Sequence, residues 1–267
     1  MVIAAYGPGW AFLVNAVSYG ATVSALLWMR LPRVHPEPTS RMRPVREFLS
    51  AVAYTRTKPG IITAIATVSL IGFFGLASQT LSVVIAKDVF DRGDRGFGEM
   101  LSAVGLGAII ASPIVAKLAT VVRRSMIQQW ALVGYGCGIL AAGLAPTFRL
   151  AQLALLVMGM AHIASASTLN TAIQLQVDEG VRAKVLSVYL TVLLLANPLG
   201  QLVLGQVIER LGAQTTYVCS GLALLTVAVV LVVTGRLRGL DDEVGAYEPS
   251  AAAEAHPSTP APPRPRT

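Results

Sequence analysis

Long apolar runs without charged residues alternate along the chain with short polar connections. Seven such runs approach or exceed the roughly 20 residues that an α-helix needs to cross a bilayer. They are Gly9–Met29, Ile61–Ala86, Leu101–Val122, Ile127–Leu144, Leu150–Val177, Val185–Ile208 and Gln214–Thr234. Lys117 is the one charged residue inside these runs, and it lies near the end of its run, where a long side chain reaches the membrane surface.

These runs predict an all-α polytopic membrane protein with about seven transmembrane helices. Each run far exceeds the roughly 9 to 11 residues of a membrane β-strand, and none alternates polar with apolar positions. In lipid the backbone hydrogen bonds must close within each segment, which an α-helix achieves. The composition agrees, since 54% of residues are hydrophobic and 13% charged, against about 25% charged in soluble domains. The lipid bilayer is therefore the expected surrounding of the chain.

Lys and Arg are unevenly divided between the two sets of connections. Sixteen of the 21 fall on one side of the predicted membrane and five on the other. Because cytoplasmic loops carry the excess of positive residues, the C-terminus is predicted to lie in the cytoplasm, at the cell (plasma or inner) membrane. The net charge of +7 then reports topology. It does not indicate a nucleic-acid partner, which would need a basic patch on a folded soluble face.

The order of the segments predicts that five helices precede this chain in a twelve-helix protein. One helix, a long basic loop and six further helices follow each other, and the chain opens almost directly into the first helix. The four segments are the last helix of a missing N-terminal half, a basic cytoplasmic linker, a six-helix transmembrane bundle and a disordered cytoplasmic tail. They occupy residues 1–29, 30–60, 61–236 and 237–267. A complete seven-helix protein is the alternative.

The linker and the tail differ in composition from the spans. In the linker, Val45, Phe48, Leu49 and Val52 recur at helical spacing, which predicts a short amphipathic helix on the inner membrane surface. A solvated linker with incidental periodicity is the alternative. The tail is rich in Ala, Pro and acidic residues and ends in PSTPAPPRPRT, a composition that predicts disorder.

Three stretches resemble exporters of the major facilitator superfamily, in its drug and siderophore efflux branch. The opening residues resemble the last helix of the N-terminal half: Gly7, Pro8, Gly9, Trp10, Ala11, Phe12, Asn15, Ala16 and Ser18. The stretch 45–60, with Tyr54, resembles the central cytoplasmic loop that enters the seventh helix. The third stretch is similar to the connection between the tenth and eleventh helices: Asn170, Thr171, Gln174, Val177, Arg182, Lys184, Val185 and Ser187.

The resemblance implies the C-terminal six-helix bundle of a major facilitator fold plus the helix before it. It also implies a proton-coupled exporter of hydrophobic or amphipathic small molecules, in which two bundles rock around a central site. Because one bundle is absent, the chain alone is expected to be inactive. The resemblance places membrane carboxylates for proton coupling in the N-terminal half, whereas His162 is the one mid-membrane group of this chain that titrates near neutral pH.

Two connections depart from the family pattern. The loop after the eighth helix keeps Lys117, Arg123 and Arg124 but has no carboxylate, and Pro113 is expected to interrupt the helix before it. A gating salt bridge is therefore not expected there. In the later connection, the cytoplasmic loop motif Arg182 and Lys184 stands near a helix start, where positive charge costs roughly 0.3 to 1 kcal/mol. Anionic lipid, or Asp178 and Glu179, is expected to offset that cost.

Polar residues inside the spans are the candidates for a substrate cavity. His162, Ser165, Asn170 and Gln174 recur at three- and four-residue spacing and so share a helix face. Because unpaired polar groups in hydrocarbon cost several kcal/mol, this face must meet protein or water. It is predicted to form the cavity wall, and hydrogen bonding to neighbouring helices as packing contacts is the alternative.

A second candidate group surrounds a proline in the next span. Pro198 removes an intrahelical hydrogen bond close to Asn197 and Gln201, which predicts either a kinked cavity helix or a kink that the two amides satisfy. Gln79 is expected to face the same cavity.

No enzyme constellation is present in the sequence. The three histidines, at positions 35, 162 and 256, are far apart, and no glycine-rich phosphate loop occurs. We expect no covalent catalysis, no cofactor, no metal and no disulfide. Three functions remain open: an exporter portion with a small-molecule substrate, a half that assembles with a separate N-terminal half or as a homo-oligomer, and a membrane scaffold that uses a glycine seam at Gly134 and Gly138.

Overall fold

The computed structural model describes residues 8–29 and 44–242, and these residues form helices and short connections without a β-strand. The helices are α1 (Pro8–Trp28), α2 (Pro44–Thr55), α3 (Pro59–Val89), α4 (Gly93–Leu118), α5 (Arg124–Leu144), α6 (Phe148–Gln176), α7 (Glu179–Leu211) and α8 (Ala213–Val233). A 3-10 helix, Arg236–Asp241, follows α8.

Helices α3 to α8 are each long and apolar enough to cross a membrane. They overlap the last six predicted spans in order, which confirms the all-α polytopic membrane fold. The first predicted span is present as α1, a helix of 21 residues without a charged side chain. Its described side chains, at 13 and 15–29, are all exposed. That α1 crosses the membrane stays a prediction.

The six spans pack around a central pair of helices. Helices α5 and α6 contact each other along their length, α4 covers α6, α8 covers α5, and α7 lies against α3. Fully buried side chains at the centre include Leu132, Leu155, Met158 and Leu224. The outward faces carry exposed Leu, Ile and Val side chains, especially on α4 and α7, as expected of helices that face lipid.

Glycines permit the closest helix contacts. A Cβ atom on Gly107 of α4 would collide with the Leu156 carbonyl of α6, and one on Gly159 of α6 would collide with the Val104 carbonyl of α4. The glycines of the predicted scaffold seam are also used inside the bundle. Gly138 is buried, and a Cβ there would lie 3.0 Å from the Ala154 carbonyl oxygen of α6. Gly138 therefore packs inside the bundle and does not form part of an exposed seam for a partner.

Helix α4 corrects the expectation of a break at Pro113. The helix runs unbroken through this proline from Gly93–Leu118. Pro113 lies on the exposed side of α4, so its ring displaces no core neighbour. The helix also begins well before the predicted apolar run, because its first turns carry charged residues that lie beyond the apolar part.

The tail is partly ordered, which corrects the prediction that disorder starts at residue 237. Residues 237–242 fold back on the bundle, with Leu237 and Leu240 buried at 4% and 0% exposure. Burial of these two side chains provides the apolar contact that an isolated tail would lack. Residues 243–267, the rest of the predicted disordered tail, lie outside the described residues.

The helix predicted in the linker is present as α2. It turns Ala51 and Thr55 towards the bundle, where they are 3% and 5% exposed, and leaves Phe48 and Leu49 exposed at 39% and 59%. Helix α2 lies mainly against α7. Its position on the membrane surface stays a prediction, and the proline-rich residues before it lie outside the described part of the chain.

Candidate functional site

His162 lies at the middle of α6, midway between Phe148 and Gln176. Its ring is half-buried. The Nδ1 atom lies 3.4 Å from the hydroxyl oxygen of Tyr135 on α5, and the two rings meet edge to face with centroids 5.9 Å apart. Which of the two groups donates depends on the imidazole tautomer.

Tyr135 is fully buried and brings a third helix into this contact. Its phenol ring lies over Gly75, where a Cβ atom would come within 2.6 Å of Cζ and 2.7 Å of the hydroxyl oxygen. Gly75 belongs to Ile71–Leu76, a π-helical segment in the middle of α3. Such wide turns inside α-helices often occur at functional sites. Helices α3, α5 and α6 therefore meet at one polar contact in the middle of the bundle.

Ser165 does not lie on the accessible face of α6. It is 1% exposed, and its hydroxyl oxygen accepts a 2.8 Å hydrogen bond from Nε2 of Gln128 on α5. Gln128 is fully buried, and its Oε1 has no hydrogen-bond partner among the described residues. The geometry therefore favours the packing interpretation for Ser165, because its one polar group is used between two helices.

Asn170 and Gln174 form a polar pair nearer the end of α6. The Gln174 amide donates to the Asn170 side-chain oxygen. Gln174 is exposed and Asn170 half-buried, whereas the residues just before each of them, Ile173 and Leu169, are buried in the core. The predicted stripe is thus divided: His162, Asn170 and Gln174 border the accessible side of α6, and the residues beside them face inward.

Asn197 and Gln201 also bond to each other, with Gln201 donating to Asn197 over 3.0 Å. Both are half-buried, and α7 continues unbroken through Pro198. The adjacent face of α7 packs on α3, where Gly200 lies directly against the Phe73 carbonyl. The two amides consequently stand at the border of the α3–α7 contact.

Gln79 of α3 is half-buried as well. Its backbone carbonyl accepts a 2.6 Å hydrogen bond from the Ser82 hydroxyl. It lies on the helix that contacts both α6 and α7, so the candidate residues belong to three neighbouring helices.

Gln128 and Tyr135 contact the candidate residues but are not predicted from the sequence pattern. Both stand in one apolar run, and Gln128 with Gln129 is its one pair of amides. A polar pair inside a span is the signal that could have indicated an interhelical contact.

The predicted cytoplasmic loop motif, Arg182 and Lys184, lies where α2 meets the start of α7. Lys184 forms an ion pair with Glu47 of α2, with 3.4 Å between Nζ and Oε2. The Arg182 guanidinium donates to the Val177 carbonyl over 3.4 Å. Lys184 therefore pairs with a residue of the linker helix, and not with Asp178 or Glu179, which the sequence suggested.

Asp178 is used instead by Tyr54 of α2. The Tyr54 hydroxyl donates to Oδ2 of Asp178 over 3.0 Å. Burial, and then this hydrogen bond to the carboxylate, raise the pKa of Tyr54 above its ordinary value. The protonated phenol thus joins α2 to the connection between α6 and α7.

The 3-10 helix Arg236–Asp241, here called the C-terminal clamp, contacts the starts of α3 and α5 and the end of α6. Arg124 donates to the carbonyls of Leu240 and Asp241 at 2.9 and 2.8 Å. The Gln176 amide donates to the Gly239 carbonyl over 2.8 Å, and Gly239 lies against Gly60.

In residues 8–29 and 44–242, no three His, Cys, Asp or Glu side chains are placed to hold a metal ion.

Comparison with known proteins identifies the family. The sequence profile of the family described as transmembrane secretion effector matches residues 1–257. The chain is 24% identical over 234 residues to the uncharacterized MFS-type transporter YfmI of Bacillus subtilis (strain 168), covering 86% of the chain and 57% of that protein. It is 25% identical over 236 residues to the enterobactin exporter EntS of Escherichia coli O1:K1, covering 87% and 55%.

Among solved structures, a bacterial homologue of the human lysosomal transporter Spinster, in an inward-facing and unoccupied conformation, aligns with 89% of the chain and 63% of its own. The TM-score is 0.42 and the identity 16%.

The chain spans about half the length of the curated relatives that it matches. These relatives are transporters, not enzymes, in agreement with the expectation of no covalent catalysis. The resemblance to major facilitator exporters is confirmed. The chain belongs to the transmembrane secretion effector family of the major facilitator superfamily and is a multi-pass membrane protein.

Proposed function

We propose that the chain forms the C-terminal half of a proton-coupled exporter of hydrophobic or amphipathic small molecules. The observation that carries the proposal is a set of polar side chains inside the spans that the six-helix bundle leaves only half-buried. They are Gln79, His162, Asn170, Asn197 and Gln201. Because unpaired polar groups are costly in hydrocarbon, these residues are expected to border water or protein, as the wall of a substrate cavity does.

The opposite wall of this cavity belongs to an N-terminal bundle in our proposal. Major facilitator sites form between two bundles that rock about the substrate. The curated relatives extend well beyond the matched region, since the chain covers 57% and 55% of them. We propose that this bundle is part of the same longer protein or a separately encoded partner. The six-helix bundle alone then transports nothing, because half of the cavity wall is absent.

His162 is the residue of this half that we assign to sensing protonation. An antiporter needs a group that gains and loses a proton between states, and an imidazole does so near neutral pH. The apolar runs contain no Asp or Glu, so the coupling carboxylates are assigned to the N-terminal bundle. The contact with Tyr135 supports a positioning role for the tyrosine, because its hydroxyl orients one side of the ring.

Efflux of a fluorescent hydrophobic dye tests the proposal. Cells expressing the 267-residue chain alone are compared with cells that also express the first five helices of a relative, and energised membranes are compared with membranes treated with a protonophore. We expect efflux only in the cells that express both parts, and we expect the protonophore to abolish it. Efflux by the chain alone would contradict the half-cavity proposal. No efflux from either would favour a scaffold role.

The cavity assignment is tested in the same cells. His162→Ala and Asn197→Ala should each reduce efflux with normal expression. The matched control is Thr226→Ala on α8, where the exposed hydroxyl bonds only to its own helix at Leu222. Enterobactin is a second cargo to test, because the relative EntS exports it. Equal efflux by all three variants would contradict the assignment of α6 and α7 to the cavity wall.

We also propose that the chain lies in the plasma membrane with its C-terminus on the cytoplasmic side. The excess of Lys and Arg supports this orientation, since 16 of the 21 stand on the side of the C-terminus. A reporter enzyme that is active only in the cytoplasm, fused after Thr267, should be active. A reporter that is active only outside the cytoplasm should not.

A further inference from the structure

A groove of about 510 Å³ opens at the end of the bundle where the C-terminal clamp lies. Four elements border it: the connection between α4 and α5, the first turns of α5, the last turn of α8 and the clamp. The residues that carry the argument are Val121, Arg123, Met126, Leu231, Val232 and Arg238. The groove therefore lies at the level where the spans end and the membrane surface begins.

Two arginines give the groove its charge. Arg123 and Arg238 line it from the α4–α5 connection and from the clamp, and both are exposed. Neither forms an ion pair with a described residue. The nearby carboxylate of Asp241 is already bonded to the backbone N–H and hydroxyl of Ser125. The two guanidinium groups are thus available to an anion, and their planar donors match phosphate oxygens.

The rest of the groove is apolar. Val121 is 77% exposed, Met126 49% and Val232 38%, and Leu231 is half-buried beside them. A free phosphate ion would leave these side chains uncovered. A ligand with an anionic head and a hydrocarbon chain covers both parts of the groove.

We propose that this groove binds one anionic phospholipid from the leaflet on the arginine-rich side of the membrane. The phosphate lies between Arg123 and Arg238, and an acyl chain runs along Met126 and Val232. Basic pockets between transmembrane helices at the cytoplasmic surface are suited to anionic headgroups. The lipid then ties the α4–α5 connection to the clamp, two elements that contribute one arginine each. This proposal is independent of the substrate and of proton coupling.

Native mass spectrometry of the purified full chain in detergent tests the proposal, with phosphatidylglycerol and phosphatidylcholine as probes. We expect phosphatidylglycerol to bind at least roughly tenfold more tightly than phosphatidylcholine. The double variant R123Q/R238Q should lose this preference. The matched control is R149Q/R210Q, which removes two exposed arginines at the opposite end of the bundle. Equal affinity for the two lipids, or an equal loss in the control, would overturn the proposal.

A second variant separates lipid from a free anion and does not depend on the arginines. Met126→Trp fills the apolar part and leaves both guanidinium groups in place. It should lower phosphatidylglycerol occupancy several-fold, and excess glycerol phosphate should not displace the lipid from the wild-type chain. Unchanged occupancy in Met126→Trp, or displacement by glycerol phosphate, would show an anion site without a lipid role. Thermal unfolding of each variant verifies that the bundle stays folded.

Discussion

Asp241 accepts two hydrogen bonds from Ser125, one from the backbone N–H to Oδ1 at 2.9 Å and one from the hydroxyl to Oδ2 at 2.6 Å. Ser125 is the second residue of α5, so its N–H is among those that a helix start leaves without an intrahelical partner. A carboxylate at this place satisfies the N–H and complements the positive end of the helix dipole. The start of α5 is thus capped by a residue 116 positions further along the chain.

Asp241→Asn should destabilise the chain. It removes the negative charge and weakens both bonds to Ser125, so we expect a loss of about 1 kcal/mol in the free energy of unfolding. Thermal unfolding of the purified chain in detergent measures the effect. Asp242→Asn is the matched control, because Asp242 is exposed and makes no hydrogen bond that the structure describes. Equal melting temperatures for the two variants would contradict the capping role.

The apolar runs located the spans because charge-free length is the physical requirement for crossing lipid. The helix ends were less predictable. Helix α4 begins at Gly93, well before the apolar run that starts at Leu101, since its first turns include Asp94 and Glu99. Charged residues there bond along or between helix ends, as in the 2.7 Å ion pair of Lys87 with Asp94. Hydropathy reports the part of a helix in hydrocarbon and not the whole helix.

The candidate site was only partly predictable for a similar reason. His162 and Asn197 stand out because polar residues are rare inside apolar runs. Which of their neighbours faces inward depends on the helix packed against them. Ser165 is buried because Gln128 reaches it from α5, and Lys184 pairs with Glu47 because α2 folds back on α7. A single sequence does not contain these tertiary pairings.

Two glycines of α4 should respond oppositely to the same substitution. At Gly107 an added Cβ would collide with the Leu156 backbone of α6, whereas at Gly105 it would meet nothing within 4 Å. We expect Gly107→Ala to lower the melting temperature by several degrees. Gly105→Ala should leave it unchanged or raise it, because alanine is favoured over glycine in helices by about 1 kcal/mol. Circular dichroism melts in detergent measure both. A harmless Gly107→Ala would mean that α4 and α6 are further apart.

The hydrogen bond between Gln128 and Ser165 can be tested by a double-mutant cycle. Ser165→Ala leaves a buried amide without its partner and should cost roughly 0.5 to 2 kcal/mol. Gln128→Leu combined with Ser165→Ala should recover most of that loss, since both polar groups are then removed together. Chemical unfolding in mixed micelles provides the four free energies. Additive effects in the double variant would argue against a direct bond.

The same variants separate packing from transport. Because Ser165 is buried and bonded to α5, Ser165→Ala should change stability without changing the range of dyes exported by the completed transporter. His162→Ala should change efflux more than stability, since its ring is half-buried. A shift in dye selectivity in Ser165→Ala would instead support the interpretation that Ser165 belongs to the cavity wall.

The bond from Tyr54 to Asp178 should weaken in alkali. Since the pKa of Tyr54 in the folded protein lies above its ordinary value of 10.0, the bond's contribution to stability is fully present below pH 10 and is lost as the pH rises through the higher folded value. The melting temperature of the wild type should therefore exceed that of Tyr54→Phe near neutral pH, and the difference should vanish in strong alkali. The ion pair of Lys184 with Glu47 is present in both proteins, so its contribution to stability cancels in the difference. Tyr19→Phe on α1, where the side chain is exposed, is the control and should leave the melting temperature near neutral pH unchanged. A difference between wild type and Tyr54→Phe that persists in strong alkali would mean that the phenol proton is not what joins α2 to α7.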